Sequence, residues 1–125
     1  IGQYTAAWDW NQTFFYAVML DVDKFPDTNP SVWEEQRFWS QSWESWHEQM
    51  LEFAHKAAEA PNYRYYIGPG ISHTIMMRPL FYTNISAGIY FREWVNAMVC
   101  NQGGTNGHGA MPWVNVECVE CDAPE

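Results

Sequence analysis

Residues 62–79 read NYRYYIGPGISHTIMMRP. The segment opens with an aromatic, strand-prone run at 63–67, turns sharply at Gly68-Pro69-Gly70, and then reaches His73. Glycine adopts backbone conformations that other residues avoid and proline fixes one, so this corner has a single preferred shape. A shaped loop at the end of a strand is where α/β enzymes hold catalytic groups. The segment therefore predicts an α/β fold with a candidate functional histidine. The rest of the chain must supply a neighbouring strand and a partner for His73.

Upstream, residues 32–60 predict one long helix, ended by Pro61-Asn62. Trp39, Trp43, Trp46, Met50, Phe53 and Ala57 recur at alternating steps of four and three, a stripe that must face a core or a partner. Before it, DKFPDTNPS at 23–31 breaks an earlier helix with two prolines and several turn formers. That earlier helix has Asn11 as its expected N-cap and Phe14, Phe15, Val18, Met19 and Val22 along one face. A first strand is expected at 2–8, running directly into Asp9. Downstream, Ser72 is expected to cap a brief helix through Met77, stopped by Pro79. Phe91, Trp94, Val95 and Met98 mark a last helix up to Cys100, after which a Gly-rich loop and an acidic tail are expected.

Only two strands are visible in this order, and two parallel strands cannot make the buried sheet that their flanking helices would cover. The expectation is therefore the C-terminal portion of a larger parallel-sheet domain over residues 1–99, followed by a cysteine-containing tail at 100–125. The N-terminal stretch IGQYTAAWDWN lacks an initiator Met and the charged-then-apolar order of a signal peptide, as expected of a processed or truncated start.

Bulk composition narrows the partners. The 125 residues are 47% hydrophobic, enough for one cored domain. Six Lys and Arg against fifteen Asp and Glu give a net charge of −9, which disfavours nucleic acid and anionic membrane surfaces. No apolar run approaches the ~20 residues of a membrane helix. Aromatics make up 18% of the chain, with eight Trp, which suits core packing, sugar stacking or a surface shared with another polypeptide.

The cysteines are Cys100, Cys118 and Cys121, an odd number that leaves one free or paired to another chain. A bridge from Cys100 to Cys118 or Cys121 would pin the tail onto the last helix and would indicate an oxidising compartment. Zinc held by Cys100, His108, Cys118 and Cys121 is the less favoured alternative, since the spacing fits no compact zinc motif, and no other metal and no cofactor is expected.

His73 needs an acid to orient it and a nucleophile to serve. Asp9 follows one predicted strand as His73 follows the other, and residues just past parallel strand ends gather along one edge. An Asp that accepts the Nδ1 hydrogen of an imidazole fixes its tautomer, and Asp before His fits the second and third places of the α/β-hydrolase order Ser, Asp, His. The first place is empty: no Gly-x-Ser-x-Gly occurs, and Ser72 sits beside His73 rather than opposite it. Glu44-x-x-His47 lacks the second pair that a di-iron bundle site requires, so His47 and His55, set among Glu44, Glu48, Glu52 and Glu59, are expected on a solvated helix face. GGTNGHG at 103–109 has no following Lys-Ser/Thr and is no phosphate loop. Asn11-Gln12-Thr13 and Asn84-Ile85-Ser86 fit the glycosylation pattern, the first of them against the proposed acid.

AAWDWNQTFFYAVM at 6–19, YRYYIGPGISHTIMMRPLFY at 63–82 and FREWVNAMV at 91–99, taken in order, resemble the C-terminal part of the pectin acetylesterase and Notum-like family of α/β-hydrolases. The shared elements are an aromatic-Asp-x-x-Gln segment, here Trp8-Asp9-Trp10-Asn11-Gln12, and a Ser/Ala-His segment followed by aliphatics, here Ser72-His73-Thr74-Ile75-Met76. The resemblance implies that Asp9 and His73 belong to a Ser-His-Asp triad. It also implies that the serine and the oxyanion-hole glycines lie on an N-terminal polypeptide, from the same precursor or another chain. The implied protein is a secreted carboxylic-ester hydrolase acting on small acyl esters, such as acetyl groups on a polysaccharide. The alternative of a different class is a non-catalytic structural or binding subunit on the same scaffold.

Overall fold

The structure is a computed structural model that describes residues 1–21, 42–101, 111–119 and 121–123. Strand β1 (Gly2–Ala6) leads into helix α1 (Trp10–Asp21). Helix α2 (Trp43–Ala57) leads through a turn into strand β2 (Arg64–Gly68). A short helix α3 (Leu80–Thr83), the hairpin β3 (Ile85–Ser86) and β4 (Ile89–Tyr90), and helix α4 (Phe91–Asn101) complete the described elements.

β1 and β2 pair in parallel, with Gly2 opposite Arg64 and Ala6 opposite Gly68. Parallel pairing needs a crossover rather than a tight turn, and the chain between the strands supplies it. The tail adds a further bridge on the other side of β2: Val116 pairs in parallel with Tyr66, its N–H donating to Tyr65 O at 2.9 Å while Ile67 N–H donates to Val116 O at 2.8 Å. Part of the expected tail thus lies along the sheet, because Val114 to Val116 presents an extended segment beside β2. The fold is α/β with a parallel pair at its centre.

Side-chain alternation along β2 divides the core in two. Tyr65 and Ile67 face α2 and pack with Trp8, Trp43, Trp46, Met50 and Ala54. Tyr66 faces α4 and packs with Ile75, Phe91, Trp94 and Val116. Gly68 is required on the second face by close approach, since a Cβ there would lie 2.7 Å from Asn84 Oδ1 and 2.9 Å from a Tyr4 ring carbon. Trp94 Nε1 donates to Val114 O at 2.7 Å and Tyr66 OH to Ile89 O at 2.6 Å, so these large aromatics are buried without stranding their polar atoms.

Several elements differ from expectation. The α1 cap is Asp9 rather than Asn11, which sits inside the first turn. That phase buries Thr13 and Ala17 and leaves Phe15 and Met19 exposed, because the small residues allow the helix to approach the sheet. On α2 the buried stripe is Trp43, Trp46, Met50 and Ala54, with Phe53 72% exposed. Val22, Trp39 and the first part of the expected long helix lie outside the described residues. No helix spans 72–77. Pro79 instead caps α3, since proline is tolerated where a helix begins. The β3–β4 hairpin was illegible because its turn places Ala87 as well as Gly88 at positive φ, 47° and 75°, and alanine does not advertise that conformation.

Candidate active site

Both predicted residues sit just past the C-terminal ends of the parallel strands, and backbone hydrogen bonds zip their loops together. Ala7 N–H donates to Gly68 O at 2.8 Å, Trp8 N–H to Gly70 O at 3.2 Å and Trp10 N–H to Ile71 O at 3.2 Å. Gly70 has φ +86°, a left-handed value that a side chain would strain, so the Gly-Pro-Gly corner closes where the sequence demands it.

Asp9 is fully buried. An isolated carboxylate there would be costly, and this one is surrounded by donors. Its Oδ1 accepts Asn11 N–H at 3.1 Å and Gln12 N–H at 2.9 Å, the pattern of a helix cap. Its Oδ2 accepts the Gln12 side-chain Nε2–H at 3.1 Å. His73 completes the set: its Nδ1–H donates to Oδ2 at 2.9 Å and Oδ1 at 3.1 Å, across 64 positions of sequence. Thr13 Oγ1 braces the turn by donating to the Asp9 backbone carbonyl at 2.8 Å.

The pair is asymmetric toward solvent, with the His73 side chain 44% exposed against none for Asp9. A carboxylate on Nδ1 places the lone pair of the neutral ring on Nε2, which makes no hydrogen bond among the described residues. Such an imidazole can take a proton from a group brought to Nε2 while the buried charge stabilises the cation that forms. His73 stands on the rim of a groove of about 660 Å³ between α1 and α2, with Phe15, Met19, Trp46, Met50 and Phe53 along its apolar wall. Tyr4 lies on the opposite face of the sheet end; burial and then the Asp9 charge push its hydroxyl up to about 12.

The other sequence candidates fall elsewhere. Cys118 and Cys121 lie at disulfide distance from each other, with Cα atoms 5.6 Å apart, and Cys100 is free and exposed. The expected bridge from Cys100 is thereby corrected: the tail runs along β2, so its two cysteines meet each other rather than α4. Two cysteines paired in this way are not available as zinc thiolates, and His108 lies outside the described residues. Among the described residues no group of three His, Cys, Asp or Glu is placed to hold a metal. Asn84 is 5% exposed and packs against Gly68, which leaves no room for a glycan.

His55 lies on the solvated face as expected, its side chain 53% exposed, whereas His47 is half-buried. His47 Nδ1–H donates to Ala7 O at 2.6 Å, and its ring stacks on Trp8. His55 Nε2 meets Glu117 Oε1 at 2.6 Å, and the same oxygen accepts the Tyr65 hydroxyl at 2.6 Å. These hydrogen bonds, the Tyr65 one first, hold the Glu117 carboxyl below its ordinary range. Sequence reasoning gave no role to Gln12; its place three residues after a capping Asp was the available signal.

No family model, curated protein or solved structure matches the chain. Among the described residues no helix is long and apolar enough to cross a membrane.

Proposed function

We propose that this chain is the C-terminal part of a secreted serine carboxylic-ester hydrolase of the pectin acetylesterase type, in which Asp9 orients His73 as the general base. The observation that carries the reading is the buried Asp9 carboxylate bound to His73 Nδ1, with Nε2 left open at the end of a parallel strand pair. The serine and oxyanion donors come from an N-terminal polypeptide. Two features support such a partner. Among the described residues β1 has β2 as its single strand neighbour, and the α1–α2 groove beside it exposes Phe15, Met19 and Phe53. The cysteine pair suits an oxidising compartment.

In the proposed reaction Nε2 takes the serine proton as the hydroxyl oxygen attacks the ester carbonyl. The imidazolium then delivers that proton to the departing alcohol oxygen, leaving an acyl-serine. Water is activated at the same Nε2 to release the acid and restore serine. Oxyanion donors are worth about 3 kcal/mol each in the barrier, so the chain without them and without the nucleophilic serine hydrolyses esters no faster than buffer. Acetyl esters on a polysaccharide are the proposed substrates, by the family resemblance.

The test is fluorophosphonate labelling of native material, with intact mass before and after reduction. A tightly bound or disulfide-linked partner that carries Gly-x-Ser-x-Gly and is labelled supports the reading, and His73→Ala should abolish the label. Failure of the native complex to label overturns it. The same exposed apolar side chains favour one second reading, a non-catalytic assembly subunit, whose partner would carry another residue at the serine position.

A further inference from the structure

Trp8, the residue immediately before the acid, is anchored far away in sequence. Its indole Nε1–H donates to the Cys121 carbonyl at 2.9 Å, across 113 positions. The residue is only 6% exposed, so this hydrogen bond satisfies the one polar atom of a buried ring. The indole stacks on the His47 imidazole, with centroids 4.2 Å apart and planes 16° from parallel. His47 holds the preceding residue as well, through its hydrogen bond to Ala7 O. Cys121 is itself closed onto Cys118, and both cysteines pack against the cluster that contains Trp8.

We propose that Trp8 is a positioning residue that ties the orientation of the Asp9 carboxylate, and through it the tautomer of His73, to the Cys118–Cys121 loop. Asp9 follows Trp8 with no intervening residue, so a shift of the Trp8 backbone on loss of the indole anchor displaces the peptide that carries the acid. Small displacements matter at this point: an error of about 1 Å in a reacting group can cost on the order of a hundredfold in rate. Describing Trp8 as positioning rests on the proposed triad, whereas the link from the loop to His73 stands on the hydrogen bonds alone.

The test uses the full chain labelled with ¹⁵N, at a pH where the imidazole is neutral, and reads the fractions of the two His73 tautomers by NMR. The wild-type ring should be predominantly Nδ1–H, and Asp9→Asn gives the scale of full release. Trp8→Phe keeps a ring for stacking but removes the donor, and should raise the Nε2–H fraction at least about twofold. Cys118→Ser with Cys121→Ser should do the same. The three substitutions together should exceed neither effect, because they break one path, and Cys100→Ser should match wild type. An unchanged His73 in Trp8→Phe, or effects that simply add, overturns the proposal. Should Trp8→Phe fail to fold, an unchanged tautomer in the cysteine variant overturns it equally. A tautomer shift in a chain whose complete complex resists fluorophosphonate defeats the triad and reduces Trp8 to a structural tie. Labelling without a tautomer shift defeats the tie and leaves the triad.

Discussion

At Asp9 a single carboxylate caps α1 and holds an imidazole at the same time. The two roles separate by substitution. Asp9→Ala removes both and should cost about 1–2 kcal/mol of stability from the cap alone, read from urea denaturation. Asp9→Asn retains an oxygen for the cap, so it should recover most of that loss. It presents an amide to His73 in place of a charged acceptor, so the imidazole tautomer should still be released. Asp9 and His73 were legible individually as a strand-end acid and a shaped-loop histidine. Gln12 Nε2 on the same carboxylate was missed, because its spacing is a signal only once Asp9 rather than Asn11 is taken as the cap. Gly70 is the simplest backbone test: Gly70→Ala at φ +86° should cost about 1 kcal/mol and loosen the loop that receives Trp8 N–H.

Among the elements, β1, β2, α2 and α4 follow from runs and stripes whose period matches their structure. α1 does not, because it is apolar on two faces and the cap decides which face turns inward. Its outward residues give a prediction of their own. Phe15→Ser with Met19→Ser should leave the thermal stability of the chain within about 0.5 kcal/mol of wild type, since both side chains are more than half exposed. In the proposed complex the same pair should weaken capture of the serine-bearing polypeptide at least about tenfold, measured by co-purification or titration. Equal binding by wild type and variant would remove α1 from that interface.

For the whole molecule, pH acts at two separate edges. The folded Glu117 carboxyl is held low by Tyr65 and His55, so its contribution to stability is present above the ordinary carboxylate range and is lost as pH falls through its folded value. Glu117→Gln should therefore flatten the acid limb of a plot of melting temperature against pH. Tyr4 has the opposite sign. Its hydroxyl rises from 10.0 when unfolded to about 12 when folded, so its contribution is intact below pH 10 and disappears between those values. Tyr4→Phe should flatten the alkaline limb. The Tyr4 hydroxyl is buried without a hydrogen-bond partner among the described residues, so the same variant should match or exceed wild-type stability near neutrality.

The sequence by itself indicated β1 and β2, the helical periods of α2 and α4, the Gly-Pro-Gly corner and the two candidate residues past the strand ends, because these depend on local periodicity and on glycine and proline stereochemistry. Tertiary structure alone decided that the tail lies beside β2, that Cys121 receives the Trp8 indole, and that Cys118 rather than Cys100 is its covalent neighbour. The first two join residues far apart in the chain through a few hydrogen bonds, and the third follows from where they place the tail. Nothing periodic in a sequence encodes them; they follow from where the packed sheet leaves an edge and an unpaired carbonyl.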